Sequence, residues 1–210
     1  MRPPALFRSQ RSLLSWLLLI CLGVASGCAA PSYTRQVGEQ GQIEAAQSVS
    51  LEGADYTALV TRFAQELTES SLYEAELRRT PARPRPAAIA NKELKVDISD
   101  LGTKPDLLEQ RLRIELQRAG IRYISEQERQ AMIERLKLQN SDLNDPETRG
   151  RFGRFANARY YLVGRLYEVQ HYTGQRSKKR EFYLLVELLD VETLESVFAS
   201  EILLTKRMQG

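Results

Sequence analysis

The chain is poor in the residues that carry chemistry. It holds one histidine, His171, and two cysteines, Cys21 and Cys28. No His-Glu-x-x-His helix, Cys-x-x-Cys pair or Cys/His cluster occurs, so the ligand set of a zinc site is missing. No Gly-x-Ser-x-Gly elbow and no glycine-rich phosphate loop occurs either. Acid pairs are plentiful: Glu66 and Glu69, Asp97 and Asp100, Asp142 and Asp145, Glu192 and Glu195. Each pair is local and reads as a solvated face or a cap, whereas a glycosidase needs two carboxylates facing each other across a cleft. His171, beside a loop, reads as a surface residue. No catalytic residue, metal, cofactor or small-molecule substrate is expected.

An excess of one charge is also lacking. The 30 Lys+Arg face 27 Asp+Glu, and Arg2, Arg8 and Arg11 precede residue 28 where no acid does. Beyond that point the charges balance. Net charge therefore argues for neither nucleic acid nor anionic lipid as a partner, and no nucleic-acid partner is expected.

The three arginines are followed by Leu13–Val24, an almost unbroken apolar run of about a dozen residues. A membrane-spanning helix needs roughly 20; the run has the length of a secretory h-region. Ala25-Ser26-Gly27 and then Cys28 follow. That order resembles the lipobox of bacterial lipoproteins, with Ala25 where Leu is usual. It implies cleavage before Cys28, which then carries the lipid that holds the chain to a membrane. The competing reading is an ordinary secretory signal cut near Ala30. Ala29 rather than Asp after the cysteine points to the outer membrane, periplasmic face. With Cys21 removed, no disulfide can form within the mature chain.

Residues 28–54 read as the lipidated cysteine and a flexible tether. They are rich in Gln, Ser, Gly and Ala and bury too little to order themselves. Extended, residues 29–54 would reach at most ~90 Å; as a coil they would span roughly 30 Å. Residues 55–210 suit one globular domain. Asp55 opens a helix whose Tyr56, Leu59, Val60, Phe63 and Leu67 form one stripe. A short piece follows at Leu72–Leu77, a proline loop at Thr80–Pro86, and a brief strand at Ala87–Lys92. Pro105 starts a second helix with Leu108, Leu112 and Leu116 inward and Gly120 at its end. Ile121–Ile124 is a strand. Ser125 and Glu128 make a capping box for a helix to Gln139, and Asp145-Pro146 starts a fourth, carrying Phe152 and Phe155. The period then changes: Arg159–Tyr172, Glu181–Val191 and Val197–Thr205 read as an antiparallel meander. Helices first and strands later make an α+β fold, a small sheet packed against about four helices.

Two basic clusters stand out. Arg78, Arg79, Arg83 and Arg85 flank the proline loop; Arg176, Lys178, Lys179 and Arg180 fill the turn after the first meander strand. A solvated loop is the plain reading of each. The second also has Tyr167, Tyr172 and Tyr183 on its strands, and Arg with Tyr is the composition of interface hot spots.

Taken in order, several blocks resemble the LpoB family of lipoprotein activators of bifunctional penicillin-binding proteins. They are Leu59–Leu67, Leu108–Ile114, Gly120–Ile124, the Ala158–Arg165 strand (ARYYLVGR) and the Leu188–Thr193 turn (LLDVET). The resemblance spans about residues 55–206. It implies a domain similar to the N-terminal domain of TolB, without activity of its own. Such a domain docks on a bifunctional penicillin-binding protein and allosterically stimulates peptidoglycan synthesis. It also implies a partner surface on the meander: Arg165, Tyr167, Tyr172, Arg176, Lys179 and Glu195. The family usually has Gly after the turn threonine; Leu194 there implies a looser turn. The same fold occurs in the curli secretion lipoprotein, so a component of an envelope secretion or pore assembly is the alternative. A pore needs spare alternating strands, and no segment here supplies them. A cell-wall hydrolase is the third reading, opposed by the lack of a convergent acid, base or nucleophile set.

Overall fold

The computed structural model describes residues 32–99, 105–139, 158–173 and 177–209. Its elements are β1 (Ser32–Val37), β2 (Glu44–Ala46), α1 (Gly53–Thr68), a one-turn π-helix (Tyr73–Leu77) and β3 (Ala88–Asp97). Then come α2 (Pro105–Arg118), β4 (Arg122–Ile124), α3 (Glu126–Gln139), β5 (Ala158–Thr173), β6 (Ser177–Asp190) and β7 (Ser196–Gln209). The seven strands form one sheet in the order β2-β1-β7-β6-β5-β3-β4. The α+β class holds. The helix expected from Asp145-Pro146, with Phe152 and Phe155, lies outside the described residues, as do the signal segment and Cys28.

The antiparallel meander β5-β6-β7 is the centre of the sheet. Leu162, Leu166, Phe182, Leu184, Val186, Leu188, Ile202 and Leu204 alternate onto one face. There they meet the apolar stripes of α1 (Leu59, Phe63, Leu67) and α2 (Leu108, Leu112, Leu116) in the main core. α3 lies on the other face at one corner, where Met132 and Ile133 pack on Ala88, Ala90, Tyr161 and Val191. Gly164 sits in the crowded part of β5: a Cβ there would come within 2.7 Å of the Leu94 side chain.

Local signals were reliable at helix ends. Gly120 has φ +76°, and the Ile121 N–H donates to the Leu116 carbonyl at 2.9 Å, closing α2. Ser125 and Glu128 cap α3 reciprocally, at 2.9 and 3.2 Å. α1 begins two residues before Asp55, whose carboxylate accepts the Glu52 N–H at 2.7 Å.

Three differences are structural findings. First, β3 runs to Asp97 rather than stopping near Lys92 and pairs in parallel with both β4 and β5. Leu94 and Val96 reach the core at alternate positions while charged neighbours face outward. Second, β6 starts at Ser177, so the polar segment before Glu181 belongs to the ladder; backbone pairing does not require apolar side chains. Third, the segment read as a flexible tether contains β1 and β2. β1 pairs with β7 from Ser32↔Gln209 to Val37↔Leu204, and β2 pairs with β1. A polar segment can order when its partner is a preformed strand edge and its charges find buried partners. Arg35 does so, meeting the buried Asp55 at 3.5 Å, and it also pairs with the exposed Glu44 of β2 at 2.7 Å.

Candidate functional site

The second face of the meander, away from α1 and α2, carries Arg165, Tyr167 and Lys179 of the partner residues expected from the sequence. Cross-strand register sets Arg165 opposite Leu185, Tyr167 opposite Tyr183, and His171 opposite Lys179. β6 in turn sets Leu185 opposite Glu201 and Tyr183 opposite Leu203. Among the described residues, α3 covers only the Ala88–Tyr161 corner of this face.

At its middle the Tyr167 and Tyr183 rings stack, centroids 5.1 Å apart and 10° from parallel. The Arg165 guanidinium lies 5.9 Å from the Tyr167 ring and is held by Asp97 at 2.6 Å. Together they form a flat aromatic platform with an oriented cation at its rim, the kind of rigid amphipathic surface on which interface energy concentrates. Glu181 continues the platform. It accepts from Lys179, from the Tyr183 hydroxyl at 3.2 Å, and lies 2.8 Å from His171 Nε2. The Lys179 hydrogen bond holds Glu181 below the ordinary carboxylate range; burial opposes it, and His171 and Tyr183 add to it. Burial and the Glu181 carboxylate push the Tyr183 phenol up.

The structure thus brings Arg165, Tyr167 and Lys179 onto one face. Tyr172 is in the ladder opposite Lys178; its side chain is outside the described atoms, and Arg176 is outside the described residues. Glu195 is not part of this patch. It lies in the β6–β7 turn, at the far end of the meander from Lys179. Eleven residues of β6 separate the levels of Lys179 and Asp190, roughly 36 Å at strand rise.

That turn is tight, not loose. Asp190 Oδ1 accepts from the N–H groups of Glu192 (2.8 Å) and Thr193 (3.2 Å), and the Asp190 carbonyl accepts from Leu194 at 2.9 Å. Leu194 takes φ +63°, the left-handed conformation that glycine adopts freely. A side chain there costs ~1–2 kcal/mol, partly offset by the extra chain entropy glycine loses on folding, ~0.5–1 kcal/mol. Leu194→Gly is therefore expected to raise stability by about 0.5–1 kcal/mol, read as a higher denaturant midpoint at unchanged slope.

Sequence reading missed the buried charge cluster on the other face. Lys206, fully buried, donates to Asp55 at 2.7 Å and to the Ser50 carbonyl at 2.6 Å, with Glu52 at 3.3 Å. Burial opposes ionisation of Glu52, but the Lys206 charge and the Ser48 hydrogen bonds outweigh it and hold its pKa below the ordinary value. The missed signal was parity: Lys206 continues the inward series Ile202, Leu204.

The family model for the peptidoglycan-synthase activator LpoB matches residues 101–202, which takes in α2, β4, α3, the β5-β6 hairpin and the first half of β7. No curated protein matches the chain. Among solved structures, the LpoB C-terminal domain from Escherichia coli is similar at 12% identity, covering 71% of this chain and 97% of that one, with TM-score 0.44. That from Salmonella enterica is similar at 11% identity, covering 70% and 96%, with TM-score 0.43. The lipoprotein GNA1162 from Neisseria meningitidis is similar at 14% identity, covering 57% and 83%, with TM-score 0.38. Residues 101–202 of this chain thus match the LpoB family of peptidoglycan-synthase activators.

Proposed function

We propose that this protein is a non-catalytic lipoprotein, anchored through Cys28 on the periplasmic face of the outer membrane. It binds a bifunctional penicillin-binding protein and activates it allosterically. The observation that carries this reading is the family match together with the meander face built around Tyr167, Tyr183 and Arg165, which no described helix covers at that point. Activation requires the domain to bind the active form of the synthase better than the resting form; equal affinity for both would shift nothing. A rigid platform suits that task, because little side-chain freedom is lost on docking. Arg165 and Tyr167 are the centre of the proposed contact, with Lys179 at one margin.

Direct binding to the bifunctional penicillin-binding proteins of the same cell tests this. Tyr167→Ala is expected to weaken binding to one of them by about tenfold or more, a hot-spot effect of ~1–2 kcal/mol or above. Its thermal midpoint should change little, because the ring packs on the outer face rather than in the core. Unaltered affinity for Tyr167→Ala and Arg165→Ala would remove this face from the interface.

A further inference from the structure

Register fixes the neighbours on the second face of the meander. Tyr167, Tyr183 and Leu203 share one level, all half-buried, and Arg165, Leu185 and Glu201 share the next. One level further toward the β6–β7 turn, Val163 stands opposite Glu187. Most charges of this face are matched within it. Lys95 holds Glu93 at 2.9 Å, Asp97 holds Arg165 at 2.6 Å, and Lys179 and His171 hold Glu181. Glu187 and Glu201 differ. Both are exposed, and among the described residues no cation meets either. Arg165 stands on the other side of Leu185 from Glu201, tied to Asp97 on β3. Lys92 lies over the Tyr161 ring at 5.6 Å. Arg207 is exposed but six residues along β7 from Glu201, roughly 20 Å away.

The two free carboxylates border the aromatic platform. Glu201 is directly across from Leu185 and diagonal to Tyr183, and Glu187 follows Leu185 on the same face of β6. Diagonal neighbours in an antiparallel pair lie ~7–8 Å apart, so Glu187 and Glu201 can both reach one group seated over Leu185. A partner that covers Tyr167, Tyr183 and Leu185 takes both carboxylates out of water as well. A carboxylate buried without a cation is costly, whereas one that meets a cation and keeps its hydrogen bonds is tolerated. An acidic or purely apolar surface is therefore disfavoured at this edge of the platform, and a basic one is selected.

We infer that the synthase docking on this face seats a basic side chain, arginine or lysine, over Leu185 between Glu187 and Glu201. The inference rests on the docking role of the proposed function and adds the chemistry of the surface that docks: apolar where it meets the tyrosines, cationic beside them. Long basic side chains suit the position, because their methylene stems cover apolar surface such as Leu185 and Tyr183 while the charged head stays with the carboxylates. Glu187 and Glu201 are then specificity-determining residues. They sort synthases by charge, steering a basic docking surface on and turning an acidic one away.

The test measures affinity and association rate of the mature chain with each bifunctional penicillin-binding protein of its own cell, at several salt concentrations. Glu187→Lys combined with Glu201→Lys should weaken binding by about tenfold or more and slow association. Glu187→Gln with Glu201→Gln should lose less and flatten the salt dependence. Glu69, exposed just past α1 on the core side of the sheet, is the control: Glu69→Gln removes a charge elsewhere and should change neither quantity. The altered side chains are all exposed, so thermal midpoints should hold. Weakening by Tyr167→Ala without weakening by the lysine pair keeps the face in the interface and overturns this inference alone. An equal loss with Glu69→Gln overturns it too, because net charge rather than this position would then be responsible. Indifference to Tyr167→Ala and to the lysine pair alike overturns the proposed face and this inference together. Dimers of the chain itself that the lysine pair breaks would put a second copy here, with Arg207 as its cation, and overturn the synthase as occupant.

Discussion

Lys206→Met should destabilise the domain by about 3–5 kcal/mol, a large share of the ~5–15 kcal/mol that separates folded from unfolded chains. The ammonium is fully buried, and its main partner, Asp55, is fully buried too. Removing the cation strands a carboxylate in the interior, which costs far more than the pair contributes. Arg35, 3.5 Å from the other Asp55 oxygen, softens the loss and places the expectation toward the lower figure. Asp55→Asn combined with Lys206→Met removes both charges, while the amide oxygen can still accept the Glu52 N–H. The double variant should therefore be more stable than Lys206→Met alone. A double-mutant cycle by urea unfolding reads the coupling directly. Additive losses would mean that the two groups do not share one interaction.

The second large effect is expected from deleting residues 32–46. A flexible tether could be cut without touching stability. The structure instead pairs six residues of β1 with β7 and puts Val37 against the core. Loss of several ladder hydrogen bonds, at ~0.5–1.5 kcal/mol each, should cost roughly 3 kcal/mol after the entropy of ordering the segment is recovered. β7 would also become an exposed edge inviting association between chains. Thermal unfolding together with faster amide exchange in residues 204–209 would register both effects. An unchanged midpoint would return the segment to the status of a tether.

The elements legible in the sequence were those whose signals are local. The α1 stripe, the cap of α2 at Gly120 and the Ser125–Glu128 box each depend on residues within one or two turns, and each is in the structure as read. What escaped depends on partners distant in sequence. β1 is polar and short of large apolar groups; it is a strand because β7, at the other end of the chain, offers it an edge. Lys206 looked like part of a charged strand end, and only the register with Leu204 and the distant Asp55 makes it a core residue. Of the residues proposed to meet the partner, alternation along one strand unites Arg165 and Tyr167, and the hairpin brings Lys179 to their face. Glu195 belongs to the other end, because adjacent turns of a meander lie at opposite ends of its strands.

The activator account stands or falls on the rate of glycan polymerisation. The mature chain would be added to each bifunctional penicillin-binding protein of its own cell, with lipid II as substrate. The account predicts a faster rate with one synthase, lost or sharply reduced with Tyr167→Ala in a chain that remains folded. Unchanged rates with every synthase, at concentrations that saturate any binding, would contradict it.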